Sequence, residues 1–418
     1  MLPLIKSINP FPWGQALFNR KGIVVMGLCA LLFCGAGTAH AQALDISKTK
    51  KILHLKTLSD ADFRKQTDPY RQSFDFEPAL DFEIRLPRGF SKVRDTIVDD
   101  TKLVPNFKGE ITTNKNEDKK RSLNENVLER IAIYYGPTQL DAPTRFEISA
   151  QKLTYETTTR NWFINHVIAS GYTLEGMEQV NDRRIEALYV IVEGSVSYIV
   201  RTVAEINGRN IILASYYVPD SRWNDEKAMQ EKVLQSFRLT KPQTGQMEQI
   251  QHFDYLDLLT ISYPISWRMI APKSFTLEGV DLRLVNIYDK KVLNGQIDIH
   301  IVSTELDTTL AQEVDYLRNN LKETQLNVGQ LLEVPSDYKF GPHVYFNRVE
   351  VYSLVSEGNN IREHEYWLGV MAEDRYYYLV SMITPSRKAD FALWARNTEA
   401  FDTIVKSIKP FEYKNSGQ

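Results

Sequence analysis

Cysteine occurs at two positions, Cys29 and Cys34, both inside an N-terminal apolar stretch. Beyond residue 41 there is none, which excludes disulfides, thiolate nucleophiles and cysteine-ligated zinc from the rest of the chain. Other signatures of chemistry are missing too. No GxSxG, Gly-rich phosphate loop or HExxH is present, and the SxxK at Ser47 to Lys50 lies in a polar lead-in without the makings of a pocket. The histidines after residue 41 are His54, His166, His252, His300, His343 and His364, and no two stand at the i, i+4 spacing of a helical metal site. Charge of one sign is also lacking. With 50 Lys and Arg against 53 Asp and Glu, the net charge is −3, so no nucleic-acid partner is implied.

The one long apolar run stands at the start. Lys6, Arg20 and Lys21 precede GIVVMGLCALLFCGAG, and Ala39-His40-Ala41 supplies a small-x-small cleavage pattern. The run falls short of the roughly 20 residues of a spanning helix, so residues 1–41 are expected to be a cleaved signal peptide with Ala39 and Ala41 at the site. An uncleaved anchor is the alternative. Cleavage removes three basic residues and no acidic one, leaving a balance of about −6. The expected location is periplasmic or secreted, with no stable membrane span. Without disulfides, such a chain is held by its cores alone, which domains of ~150 residues can supply.

What is present reads as one pattern written twice. After a lead-in over 42–73, DFEIRLPRGF opens the first unit, with Phe82, Ile84 and Leu86 alternating before Pro87. LLTISYPISW opens the second: Leu259, Ile261 and Tyr263 alternate before Pro264. In each unit two more strands lead into an amphipathic helix. The first helix carries Trp162, Phe163, Val167 and Ile168, with Gly171 as a stop. The second carries Leu310, Val314, Leu317 and Leu321, with Asn327-Val328-Gly329 as the expected stop. Three strands joined by tight turns follow, among them Asn207-Gly208, a strong hairpin signal. A helix then closes each unit and ends at Lys-Pro, Lys241-Pro242 and Lys409-Pro410. The charged stretch 114–125 reads as a solvated insertion. The expected class is α+β: two similar domains, each a curved, mainly antiparallel sheet covered by helices, over 74–242 and 252–411. A linker at 243–251 joins them and a tail covers 412–418.

This order of elements, the strand–Pro–x–x–aromatic entry (Tyr263-Pro264-Ile265-Ser266-Trp267, and Leu86-Pro87-Arg88-Gly89-Phe90) and the closing Ser-Ile-Lys-Pro resemble the PsbP/Mog1/DcrB-like fold. The second half carries the likeness better than the first. The resemblance implies an accessory or interaction module without enzymatic activity, and its bacterial envelope branch fits an exported chain. It implies no cofactor, and no family site residue has a match here.

Two sets of residues remain. Asp298 and His300 alternate on one strand face, the only arrangement resembling a metal pair, and a solvated sheet face explains them better. Tyr366-Trp367 and Tyr376-Tyr377-Tyr378 are dense aromatic runs in which neighbouring rings point to opposite faces of a strand. Each run should expose a ring unless helices cover both faces, so Tyr366, Trp367, Tyr376, Tyr377 and Tyr378 form the candidate interaction surface. The expected function is an envelope interaction or assembly factor with an unidentified protein partner and no enzymatic activity. A periplasmic small-ligand binder using the inter-domain cleft is the alternative. Oligomeric state is left open.

Overall fold

The computed structural model describes residues 50–52, 58–93, 122–137, 142–255, 259–270, 279–288, 292–323, 326–335, 346–356 and 363–410. The expected signal, with Ala39 and Ala41, residues 114–121 of the insertion read at 114–125, and the tail at 412–418 lie outside the described residues.

In chain order the first half contains α1 (Asp60–Gln66), β1 (Thr67–Gln72), β2 (Phe82–Pro87), β3 (Ser91–Lys92), β4 (Glu129–Tyr135), β5 (Arg145–Lys152) and α2 (Thr159–Ser170). There follow β6 (Thr173–Asn181), β7 (Arg184–Glu193), β8 (Val196–Asn207), β9 (Asn210–Pro219), α3 (Asp220–Gln235) and β10 (Arg238–Leu239). The second half contains β11 (Ile250–Tyr255), β12 (Leu259–Pro264), β13 (Arg268–Ile270), β14 (Gly279–Tyr288), β15 (Val292–Ser303) and α4 (Leu310–Glu323). It ends with β16 (Leu326–Glu333), β17 (Phe346–Ser356), β18 (His364–Ala372), β19 (Tyr376–Pro385), α5 (Phe391–Ser407) and β20 (Lys409–Pro410).

The repetition is carried through strand by strand. The first large sheet has the order β3-β4-β5-β9-β8-β7-β6 and the second β13-β14-β15-β19-β18-β17-β16, all pairs antiparallel. Three-stranded sheets β1-β2-β10 and β11-β12-β20 repeat the relationship. These are two similar domains of the α+β class. Strand β1 falls within the lead-in, and β11 begins inside the stretch read as a linker.

The entry motif aligns in space. Pro87 and Pro264 each end a strand; Phe90 N–H bonds Pro87 O at 3.3 Å, and Trp267 N–H bonds Pro264 O at 2.9 Å. Both aromatic rings are buried. The turn therefore tucks an aromatic residue into the core three positions after the proline, and Phe or Trp serves. The two Lys-Pro pairs do not correspond. Leu239 pairs with the first residue of β2 and Pro410 with the first of β12, so Lys241-Pro242 lies beyond the strand that contains Lys409-Pro410.

Two expectations need correction. Each unit has four strands after its first long helix, not three. Strands β6 and β16 lack clean alternation because each carries two register shifts against its neighbour, so apolar residues do not recur every second position. Asn327-Val328-Gly329 accordingly lies within β16 rather than stopping α4. Gly171 does stop α2: at φ +67 it donates to Ile168 O, and Tyr172 donates to Val167 O. Pro385 ends β19, and the last helix starts at Phe391. Asp390 caps it by accepting from Leu393 N–H at 3.0 Å.

Helices cover both faces of each large sheet. In the first domain α3 packs over Phe82, Phe146, Ala214 and Tyr216, and α2 over Tyr189, Val200 and Leu213 on the other side. In the second, α5 covers Ile299, Val380 and Met382, while α4 covers Leu354, Tyr366 and Leu368. Each fully buried side chain of this size contributes ~1.5–3 kcal/mol. Among the described residues no helix is long and apolar enough to cross a membrane.

Candidate functional site

The two-sided cover decides the fate of the aromatic candidates. Trp367, Tyr376 and Tyr378 are buried beneath α5, and Tyr366 is 1% exposed beneath α4. Tyr377 alone keeps partial exposure. The five rings are thus not presented together as a surface; alternation sends neighbours to opposite faces, but both faces are interior. The phenol of Tyr378 donates to Glu373 Oε1 at 2.8 Å, and burial followed by that carboxylate pushes its pKa well up.

Trp367 instead belongs to a hub on Glu365. This carboxylate, 2% exposed, accepts the indole N–H of Trp367 at 3.1 Å and of Trp394 at 2.8 Å on Oε2. Its Oε1 accepts Arg387 Nε at 3.1 Å. The Arg387 guanidinium also stacks 4.7 Å from the Trp394 ring centre and reaches Glu333 at 3.1 Å. A buried carboxylate is tolerable only when its oxygens are so occupied.

Trp394 stands where the domains meet. With Phe391 and Ala395 it packs into the apolar cluster built by α2 in the first domain. Alongside, Arg396 lies 4.5 Å over the Tyr155 ring. A relay of backbone bonds runs beside this seam. Glu156 Oε1 accepts Met247 N–H at 2.7 Å and Glu248 N–H at 3.1 Å, and Glu248 Oε1 accepts Ser266 N–H at 2.6 Å. Glu399 of α5 faces the same region. Burial first, then Asp402 and Glu156, push its pKa up to about 7, against the opposing effects of Lys406 and Asn161. An open cleft of about 520 Å³ at the junction is lined by Thr154, Arg209, Gln246, Met247, Glu248, Gln249 and Ile265.

Asp298 and His300 do not act as a pair. Arg283 and Gln296 occupy Asp298, at 2.6 and 2.7 Å. His300 Nδ1 meets Asp281 at 2.6 Å and Nε2 meets Glu313 of α4 at 2.9 Å. Burial opposes the charged imidazole, but the two carboxylates outweigh it and raise the pKa. With both ring nitrogens bonded to acids, His300 pins α4 to β14 and β15. Among the described residues no group of three or more His, Cys, Asp or Glu is placed to hold a metal ion.

Reading by motif passed over Glu365, Glu156, Glu399 and Arg396. The signal available for Glu365 was an acid flanked by aromatics inside an otherwise apolar strand. The others depend on which surfaces the two domains bring together.

No protein-family model matches the sequence, and no curated protein does. Solved structures align weakly. Cyanobacterial PsbP from Synechocystis sp. PCC 6803 is 16% identical over 39% of this chain and 92% of its own, with a TM-score of 0.28. The Tle4–Tli4 complex is 10% identical over 83% and 98%, and the T6SS immunity protein TplEi of Pseudomonas aeruginosa 10% over 82% and 97%, both with TM-scores of 0.20. These are weak, partial likenesses to a sheet-and-helix architecture, and no family follows from them.

Proposed function

We propose that the chain is an exported, non-enzymatic interaction or assembly factor of the bacterial envelope. Its domains are read as 74–242, with β1 joined ahead of the first, and 252–411, with β11 starting two residues ahead of the second. One observation carries the reading: the ionisable groups at the helix contacts and at the domain seam serve the chain's own packing. Glu365 fastens two tryptophans and an arginine, His300 fastens a helix, and Glu156 fastens the chain between the domains. Groups held this way give shape to a two-domain body and leave its outer surface to make contacts. The Ala39-His40-Ala41 pattern supports export.

The test is in-cell cross-linking of the tagged full chain, followed by fractionation and N-terminal sequencing of the purified protein. Recovery from envelope fractions, an N-terminus at Gln42 and one reproducible cross-linked partner are expected. A cytoplasmic chain with an intact N-terminus, or a purified chain that turns over a substrate, overturns the proposal.

A second reading, a periplasmic small-ligand binder, rests on the open junction cleft with Arg209 in its lining. A thermal-shift panel separates the two: a saturable rise in Tm that is lost in Arg209→Ala supports the ligand reading.

A further inference from the structure

The two large sheets end in equivalent edge strands treated differently. Strands β6 and β16 each follow a helix, carry glycine as their fourth residue (Gly176 and Gly329) and pair with one neighbour in their own sheet. A short extended piece of this same chain lies along β6. Met177 N–H donates to Lys50 O at 2.9 Å, and Ile52 is only 5% exposed. Gly176 makes room for it, since a Cβ there would stand 3.2 Å from Lys50 O and 3.4 Å from Ile52 Cγ1. Charges match as well: Lys50 and Lys51 lie beside a strand containing Glu175 and Glu178.

Along β16 no segment takes this place among the described residues. Leu331 and Leu332 are 48% and 51% exposed, Val334 just beyond is 45% exposed, and Val355 on the adjoining β17 is 54% exposed. The strand contains neither lysine nor proline, the residues that commonly blunt an edge. It carries one acid, Glu333, whose side chain is about half exposed while it meets Arg387.

We propose that the outer edge of β16 is a docking site for an extended segment of a partner protein, added to the second sheet as a further strand. The occupant is a stretch in which basic residues precede an aliphatic one, as Lys50, Lys51 and Ile52 do on β6. Backbone bonding supplies the attachment, the aliphatic side chain covers the one of Leu331 and Leu332 that shares its face, and the basic residues complement Glu333. The inference rests on the interaction reading above and names how the contact is made.

The test adds a synthetic peptide copying residues 47–55 to the full chain and follows amide hydrogen exchange. Slowed exchange across 329–333, lost in the Leu331→Lys/Leu332→Lys variant while β17 and β18 keep their protection, is expected. Absence of peptide-dependent protection at β16, or equal protection in the variant, overturns the proposal. Concentration-dependent protection at β16 without peptide, together with a dimer in sedimentation, also overturns it, because a second copy is then the occupant. A cross-linked envelope partner whose footprint spares β16 overturns the edge site and leaves the interaction reading intact.

Discussion

The indole N–H of Trp394 donates to Oε2 of Glu365 across 2.8 Å, tying the helix at the domain seam to an interior strand of the second sheet. The same oxygen accepts Trp367, and the other holds Arg387. Glu365→Leu leaves a guanidinium and two indole donors without their acceptor, and a loss of about 3–5 kcal/mol is expected. Glu365→Gln keeps an acceptor oxygen and costs less. Urea unfolding followed by tryptophan fluorescence measures both, and equal stability of Glu365→Leu and wild type contradicts the hub.

Glu156 ties the first domain to the segment that enters the second, through Met247 and Glu248. Glu156→Ala removes two bonds to a charged acceptor, each worth roughly 1.5–3 kcal/mol. Coupling between the domains should weaken more than either core. Differential scanning calorimetry is expected to show one transition for wild type and two for Glu156→Ala combined with Arg396→Ala.

Glu399 predicts a pH dependence of definite sign. Its folded pKa, about 7, is raised above the ordinary carboxylate value, mainly by burial. The folded state therefore favours the protonated acid. That contribution is fully present below the unfolded pKa of about 4.3 and is lost as pH rises through 7. Glu399→Gln mimics the protonated form and should raise stability at pH 8 by roughly 1–2 kcal/mol, with little effect at pH 4.5. Denaturant midpoints at the two pH values decide it.

His300 gives a second pH effect through a different group. Asp281 from β14 and Glu313 from α4 raise its folded pKa, with Tyr316 of α4 packed beside the ring. The stabilisation is complete below the unfolded value of about 6.5 and disappears as pH rises through the raised folded value. Hydrogen exchange within α4 should accelerate across that interval in wild type. In Glu313→Gln, which removes one acid, the acceleration should begin at lower pH.

His166 offers a contrast. Burial alone pushes its pKa down to about 4, and its ring stacks on Trp162 at 5.3 Å. The folded state holds it neutral, so protonation of the unfolded chain near pH 6 draws stability away as pH falls toward 4. His166→Phe should flatten that part of the acid unfolding curve, followed by circular dichroism.

Local chemistry made much of this protein legible from its residues alone. Alternation before Pro87 and Pro264 marked the entry strands, Gly171 and Gly208 marked backbone that must turn left-handed, and the four-three-four spacing of α4 marked the half-buried stripe it packs on the sheet. Duplication was readable because each repeat carries those signals within a few residues. Strands β6 and β16 were not, since their conformation comes from pairing with β7 and β17 rather than from a period of their own. Nor could alternation decide whether Tyr366 and Trp367 reach water; it fixes that they face opposite ways, while α4 and α5 decide that both ways lead inward. Glu365, Glu156 and Glu399 acquire their roles from partners far away in the chain. Their bonding, burial and proton affinity are properties of distance and desolvation, which exist only once the two domains have packed.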